Sequence, residues 1–136
     1  MKTGKEIREI IYYDCGEITA ISFYINGFLS NQQRFDYKFI IKRDKPDFLK
    51  QAPRNGEWGK FVLRLGFFEI RHGENSFFFC IDRSDHSSNY MNEGYIIPVL
   101  EIVKYYFKTN YNANAIDNDQ AIKKFQHKII SIGPSF

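Results

Sequence analysis

The residues whose types could carry out chemistry are concentrated in one polar stretch, from Asp82 to Ser88. It holds His86 together with carboxylates and hydroxyls, the groups that a hydrolase uses as base, orienting acid and nucleophile. They fall within seven consecutive residues, where a rigid catalytic geometry is difficult to build. A solvated turn, in which Asp and Ser side chains bond to nearby backbone, explains the same composition. We therefore predict a non-enzymatic protein, and an enzyme that uses His86 with Asp82 or Asp85 is a lesser alternative.

The sequence does not indicate a metal site or a nucleotide site. The histidines His72, His86 and His127 are widely spaced, without the i,i+4 pair that zinc proteases use. Cys80 stands inside a run of phenylalanines, where a cysteine is expected to act as a small hydrophobic residue. The glycine-rich signatures that bind phosphates, GxxxxGKS/T and GxGxxG, do not occur. We expect neither a metal nor a cofactor.

A protein partner is suggested by the segment Asp82–Tyr95, which combines acids with two tyrosines and a methionine. Tyrosine and methionine are frequent anchors at interfaces, and acids steer a protein toward a basic partner. The acids contrast with the net charge of +3 on the whole chain. We predict that Asp82, Asp85, Tyr90 and Glu93 contact this partner.

Single-stranded nucleic acid is the alternative ligand. Arg34 and Lys38 accompany Tyr37 in a segment predicted to be a strand, and aromatic side chains on a basic sheet can stack unpaired bases. The small net charge and the absence of the octapeptide typical of RNA-binding sheets make this partner less favoured. A core position for Phe35 and Phe39 explains the same aromatic pattern.

Two aromatic-rich strands, Lys60–Arg71 and Ser76–Asp82, give the clearest structural signal. They are joined by the short polar turn His72-Gly73-Glu74-Asn75. Gly66, inside the first strand, indicates a bulge or a close backbone approach. Alternating apolar and polar residues predict another strand over Arg34–Arg43.

The remaining elements are predicted from β-branched runs and helical spacing. A strand is expected over Ile18–Ile25, followed by a tight turn at Asn26-Gly27. A helix is predicted from a capping box at Thr3 to about Gly16, with a strand over Ile7–Tyr13 as the competing interpretation. Two more helices are predicted, over Ile97–Lys108 and Asp119–Ser131.

These elements predict an α+β fold in a single domain, residues 1–136, with an antiparallel sheet of four to five strands and helices packed on one side. The 43% hydrophobic content is ordinary for a globular protein of 136 residues. Two cysteines, Cys15 and Cys80, are too few for a disulfide framework, and acids interrupt the apolar N-terminus, unlike a secretion signal. A cytoplasmic protein without a membrane span is expected.

A small α+β domain with an acidic segment on a mildly basic body, without catalytic motifs or disulfides, resembles the immunity proteins of bacterial contact-dependent growth inhibition systems. The resemblance covers the whole chain at the level of architecture. It implies that the protein binds the nuclease domain of a cognate toxin in the cytoplasm and occludes the active site of that toxin. The net charge of +3 departs from the acidic character of many such antidotes, so occlusion by shape or through the acidic segment is expected rather than mimicry of nucleic acid.

Overall fold

A computed structural model describes residues 7–14, 18–47, 65–83, 97–109 and 116–132. Its centre is one six-stranded sheet with the strand order β2-β1-β3-β4-β5-β6. The strands are β1 (Arg8–Tyr13), β2 (Lys38–Lys42), β3 (Leu65–His72), β4 (Asn75–Asp82), β5 (Tyr105–Lys108) and β6 (Ile129–Ser131). The helices are α1 (Ile18–Ser30), α2 (Gln32–Phe35), α3 (Ile97–Ile102), α4 (Gln120–Lys123) and a 3₁₀ turn over Gln126–Lys128.

The sheet is mixed. Strand β3 pairs antiparallel with β1 on one side and with β4 on the other. The outer pairs, β1 with β2, β4 with β5 and β5 with β6, are parallel. The α+β class is confirmed, and the predicted antiparallel sheet of four to five strands matches only in part, because the described sheet has six strands and only the two pairs that β3 makes are antiparallel. Each parallel neighbour is reached through a helix-containing connection, as parallel strands require.

Helices pack on both faces of this sheet, so the prediction of helices on one side is wrong. On one face, called here the α3 face, Ile11, Phe67 and Tyr106 pack with Val99 and Leu100 of α3 in one buried cluster. On the opposite face, called the α1 face, the strand residues that alternate with those of the α3 face form a second cluster with α1. Its buried members are Tyr12, Ile21, Ile25, Phe39, Phe68, Phe79 and Ile81. Alternation of side chains along each strand supplies both clusters from the same strands.

Residues 8–13 form a strand, not the predicted N-terminal helix, and the competing strand interpretation is confirmed. Strand β1 lies between β2 and β3, and Ile11, Tyr12 and Tyr13 are all buried. A strand covered on both faces has a continuous apolar run instead of alternation. That run also fits helical spacing, which is why the pattern was ambiguous.

Residues 18–30 form a helix where a strand and a tight turn were predicted. Ile21 and Ile25 are buried one helical turn apart, and Tyr24 and Phe28 pack beside them. Spacings of three and four residues place these side chains on one side of a helix. The local preference of Ile and Tyr for strands is overridden by burial against the sheet.

Gly66 is a point of close approach between β3 and α1. A β-carbon built on Gly66 would lie 3.0 Å from side-chain atoms of Ile21, so a larger residue would require the Ile21 side chain to shift by a few tenths of an ångström. The close approach expected at Gly66 is present, and it is made by a helix side chain. The turn after β3 is also glycine-dependent, because Gly73 has a φ of 63°, which costs glycine little.

The predicted strand Arg34–Arg43 is divided. Helix α2 ends at Phe35, Asp36 adopts a left-handed conformation with φ of 54°, and β2 begins at Lys38. Phe35 and Phe39 therefore do not share a strand face: Phe35 is 55% exposed and Phe39 is buried. The aromatic strand β3 begins at Leu65 among the described residues, and residues 60–64 lie outside them.

The two C-terminal helices are much shorter than predicted. Helix α3 ends at Ile102 and the chain continues as β5, while α4 ends at Lys123 and is followed by β6. The predicted helix start at Asp119 is confirmed, because its carboxylate accepts hydrogen bonds from the backbone of Ala121 and Ile122. No helix among the described residues has the length and apolar character needed to cross a membrane.

Candidate functional site

Helix α1 is unusual for a surface helix because none of its 13 residues is charged. Its buried side packs on the sheet through Ile21 and Ile25. Its outer side exposes large apolar side chains, with Phe23 54% and Leu29 42% accessible. Surface helices normally have charged residues opposite the apolar stripe. The outer side of α1 is therefore suited to contact another apolar surface.

An apolar cleft, called here the α1 cleft, lies along this helix where α2 turns back toward β2. It has a volume of about 580 Å³. The described residues that line it are Ile10, Phe23, Tyr24, Asn26, Gly27, Phe28, Ser30, Asn31, Phe35 and Tyr37. Hydrogen bonds hold its walls in place. The Tyr37 hydroxyl donates to the Phe28 carbonyl, and the Gln32 side chain accepts from the backbone of Phe39 at 2.8 Å.

A second apolar depression, called here the aromatic groove, adjoins the α1 cleft at Tyr24 and Phe28. It lies between α1 and strands β4 and β5, with a volume of about 390 Å³. Its described lining is aromatic or aliphatic throughout: Tyr24, Phe28, Ile70, Phe77, Phe79, Ile81, Tyr105, Phe107 and Ile132. Strand register brings its wall together, because Ile70 pairs with Phe77 and Phe79 pairs with Tyr105.

Two pairs of rings in the groove pack edge to face. Phe77 and Tyr105 have centroids 6.0 Å apart at 82°, and Phe79 and Phe107 lie 5.7 Å apart at 86°. The Lys104 ammonium lies at the rim of the groove, 4.8 Å from the ring centroid of Phe77 and 5.7 Å from that of Tyr105. This geometry is a cation–π contact. The groove thus combines a rigid apolar floor with a positive charge at its edge.

The α3 face holds a buried carboxylate, Glu69, between two donors. The Tyr13 hydroxyl donates to Oε1 at 2.6 Å, and Arg71 Nε donates to Oε2 at 2.8 Å. Burial by itself would raise the pKa of Glu69, but hydrogen bonds from Arg71 and Tyr13 outweigh it and keep that pKa below its ordinary value. Burial and the bond to Glu69 raise the pKa of Tyr13 to about 12, so Tyr13 stays a neutral donor.

We expect Glu69→Gln to reduce the acid sensitivity of the fold. Because the folded pKa of Glu69 is below its ordinary value of 4.5, its stabilising contribution is complete above that pH and is lost as the pH falls through the folded pKa. At pH 7 the variant should lose about 1.5–3 kcal/mol of unfolding free energy, the usual contribution of a hydrogen bond to a charged group. Urea unfolding between pH 7 and pH 3 measures both effects. The exposed Glu101→Gln is the control, and equal pH profiles for parent and Glu69→Gln would contradict the expectation.

A second buried carboxylate, Asp82, lies at the end of β4 on the same face. Its Oδ2 accepts from the Tyr106 hydroxyl at 2.5 Å and lies 3.6 Å from the Lys108 ammonium. Asp82 and Lys108 are each 1% exposed, and Tyr106 is fully buried. Burial, followed by the charge of Asp82, raises the pKa of Tyr106 well above its ordinary value. The three groups form an internal ion pair with a neutral tyrosine donor.

The structure therefore places Asp82 in the interior, although the sequence predicts it to be a partner contact. A carboxylate that is 1% exposed and bound to Tyr106 does not present its oxygens on the surface. The other predicted contacts, Asp85, Tyr90 and Glu93, lie outside the described residues, as does His86. The loop as a partner site stays a prediction.

The three residues predicted to bind single-stranded nucleic acid do not lie on one strand. Arg34 belongs to α2, where its guanidinium lies 5.1 Å from the centroid of the exposed Phe35 ring. Tyr37 lines the α1 cleft with its hydroxyl bonded to Phe28, and burial raises its pKa. Lys38 is exposed at the start of β2, one residue before Phe39, and so points to the opposite face. A flat stacking surface of the predicted kind is not formed by these three residues.

Cys80 is fully buried in the α3-face cluster, in agreement with its expected role as a small hydrophobic residue. Within the described ranges no three His, Cys, Asp or Glu side chains converge as metal ligands.

The aromatic groove was not predicted from the sequence. The alternation of apolar residues at Phe77, Phe79 and Ile81, and again at Tyr105 and Phe107, could have indicated it. The second pair of residues fell within the predicted helix Ile97–Lys108.

Comparisons with protein-family models, with curated proteins and with solved structures find no match to this chain.

Proposed function

We propose that this chain is a non-enzymatic cytoplasmic binding protein that neutralises a toxin by covering its active site. The observation that carries the proposal is the exposed apolar surface along α1 and α2. Phe23 and Phe35 are 54% and 55% accessible and line a cleft of about 580 Å³, and Leu29 on the same helix as Phe23 is 42% accessible. Exposed apolar patches that adjoin a groove are typical of surfaces that bind another protein.

The shape and rigidity of this surface suit occlusion. The walls of the cleft are held by the Tyr37 hydroxyl, which donates to the Phe28 carbonyl, and by the Gln32 side chain, which accepts from the Phe39 backbone, so a partner would meet a largely preformed surface. Preformed surfaces lose little conformational entropy on binding, which favours tight complexes. The nuclease domain of a toxin, as the resemblance implies, is the expected partner, and it would be blocked by contact rather than chemically altered.

The test starts from the tagged full-length chain, purified from its native bacterium. We expect one stoichiometric protein partner that stops growth when it is expressed alone and does not when this chain is co-expressed. Phe23→Ser with Phe35→Ser should weaken the purified complex about tenfold or more, because aromatic anchors carry much of the binding energy at interfaces. Ile102→Ser is the matched control, since Ile102 is 47% exposed on α3, across the sheet. A non-toxic partner, or toxicity that persists on co-expression, would refute the proposal.

The predicted acidic contacts are tested on the same complex. Asp85→Ala with Glu93→Ala should lower the affinity several-fold, with a weaker salt dependence than the parent, if acids steer the association. Asp82→Ala is excluded from this comparison because Asp82 is buried and its replacement would change stability. Unchanged affinity and salt dependence would remove the loop from the interface and leave binding through α1 in place.

A further inference from the structure

The aromatic groove has features that specify the chemistry of what it binds. We infer that it receives an apolar or aromatic side chain from a polypeptide segment of the partner, with a carboxylate beside that side chain paired to Lys104. The inference rests on the proposed function and deepens it, because it names the chemical character of the partner's docking segment.

The floor of the groove selects an apolar group. Phe77, Tyr105 and Phe107 are partly buried on adjacent strands and form an apolar wall with Ile70. A volume of about 390 Å³ accommodates one or two large side chains. Because the rings pack edge to face on one another, the site is already formed and an entering side chain need not reorganise it.

The charge at the border selects a carboxylate. The ammonium of Lys104 lies over the Phe77 ring, and the backbone N–H of Lys104 donates to the Phe78 carbonyl at 2.8 Å, which fixes its position beside β4. Arg8 is exposed on the same face of the sheet, opposite His72 of β3 in the strand register and outside the lining of the groove. Glu74 lies in the β3–β4 turn, beyond the strand ends.

A polypeptide fits this arrangement better than a nucleic acid. Base stacking needs accessible ring faces, whereas the face of Phe77 is occupied by Lys104 and its edge contacts are made with Tyr105. A phosphate backbone also needs a row of cations along its path, and the described lining residues carry no charge. One cation at the rim of an apolar site suits a single carboxylate next to an apolar anchor.

The experiment uses the full chain labelled with ¹⁵N and a panel of 12-residue peptides. Each peptide has a central Trp or a central Ser, flanked by two aspartates, two lysines or two serines. We expect the Trp peptide with aspartates to shift amide signals of β4, β5 and α1, and to bind about three- to fivefold more tightly than its lysine counterpart, as one rim ion pair allows. The Ser peptides should not occupy the groove.

Two exchanges at position 104 test the role of the cation. Lys104→Met should abolish the preference for aspartate, and Lys104→Glu should reverse it, while the control Lys123→Glu on α4 should leave it unchanged. Both exchanges are at an exposed position, so folding is expected to survive. A preference that persists in Lys104→Glu, amide shifts confined to other surfaces, or no binding by any peptide at millimolar concentration would overturn the inference. Tighter occupation of the groove by a ten-nucleotide oligothymidylate at equal salt would overturn it in favour of nucleic acid.

The two proposals fail in different ways. A toxin partner that binds Lys104→Glu and Lys123→Glu as tightly as the parent would refute the role of the groove and leave neutralisation through α1 standing. A groove that selects acidic aromatic peptides in a chain that protects against no toxin would instead refute the proposed function.

Discussion

Replacing Lys108 by methionine is expected to lower the free energy of unfolding by about 3–5 kcal/mol, because it removes the buried cation that is paired with the Asp82 carboxylate. Asp82 and Lys108 are both 1% exposed, and their charged atoms are 3.6 Å apart. Methionine keeps most of the length of the side chain, so the change is mainly electrostatic. Urea unfolding monitored by circular dichroism measures the effect at neutral pH.

A second variant separates loss of charge from loss of packing. Asp82→Asn with Lys108→Met removes both charges, while the amide oxygen that replaces the carboxylate would still accept from the Tyr106 hydroxyl, which donates to Asp82 at 2.5 Å in the parent. Replacing a buried ion pair by neutral groups is often close to neutral in stability, so the double variant should be clearly more stable than Lys108→Met. Additive losses from the two single substitutions would contradict an ion-pair role. Lys123→Met, at an exposed position of α4, is the control for removal of a lysine.

Phe68→Ala should cost about 3–5 kcal/mol, the range found for aromatic side chains removed from a core. Phe68 is fully buried on β3 and stacks on Phe79, with ring centroids 4.8 Å apart and planes 1° from parallel. Its ring also lies 5.2 Å from those of Tyr12 and Phe28. Phe68 is therefore the ring that joins β1, α1 and β4, and its loss leaves a cavity between them.

Thermal and urea denaturation measure the loss of unfolding free energy in Phe68→Ala, and Phe23→Ala is the control. Phe23 is 54% exposed on α1, so its truncation should change stability by no more than about 0.5 kcal/mol. Similar losses at both positions would contradict the assignment of Phe68 to the centre of the α1-face core. The pair also separates the two uses of aromatic residues here, because Phe23 is expected to matter for binding and Phe68 for folding.

The two faces of the sheet differ in the charged groups they contain, and this difference is consistent with the proposed binding function. The α3 face contains both buried carboxylates, each neutralised by a cation and a tyrosine hydroxyl. The lowered pKa of Glu69 makes its contribution to stability depend on pH. The α1 face has the uncharged helix, the α1 cleft and the aromatic groove. Its chemistry is that of contact with an apolar surface.

The β3–β4 hairpin was the part of the fold most accessible from sequence. Strand β4 was predicted within one residue of its observed start, and the glycine of its turn has the positive φ that such turns require. Hairpins are local, so a few neighbouring residues determine them. The close approach at Gly66 was also foreseeable, since glycine in a strand interior marks such places.

The candidate sites were much less predictable. Two of the nine described lining residues of the aromatic groove, Tyr105 and Phe107, were predicted to lie in a helix, because Val99 to Phe107 fits helical spacing as well as two shorter elements do. Asp82 was assigned to a surface because it precedes a polar segment, but Lys108, 26 positions later, reaches it across parallel strands. A pairing between residues so far apart in the chain cannot be predicted from the residues next to either of them.

The amino-acid sequence alone determined the α+β class, the central aromatic hairpin, the helix start at Asp119 and the apolar character of Cys80, because each depends on neighbouring residues or on hydrophobicity. Tertiary structure decided that residues 8–13 are a strand and residues 18–30 a helix. It also decided that parallel strands flank the hairpin and that Asp82 lies inside. Ile, Tyr and Phe have strand preferences worth only fractions of a kcal/mol to about 1 kcal/mol, whereas burial against the sheet contributes about 1.5–3 kcal/mol per large side chain and so selects the final conformation.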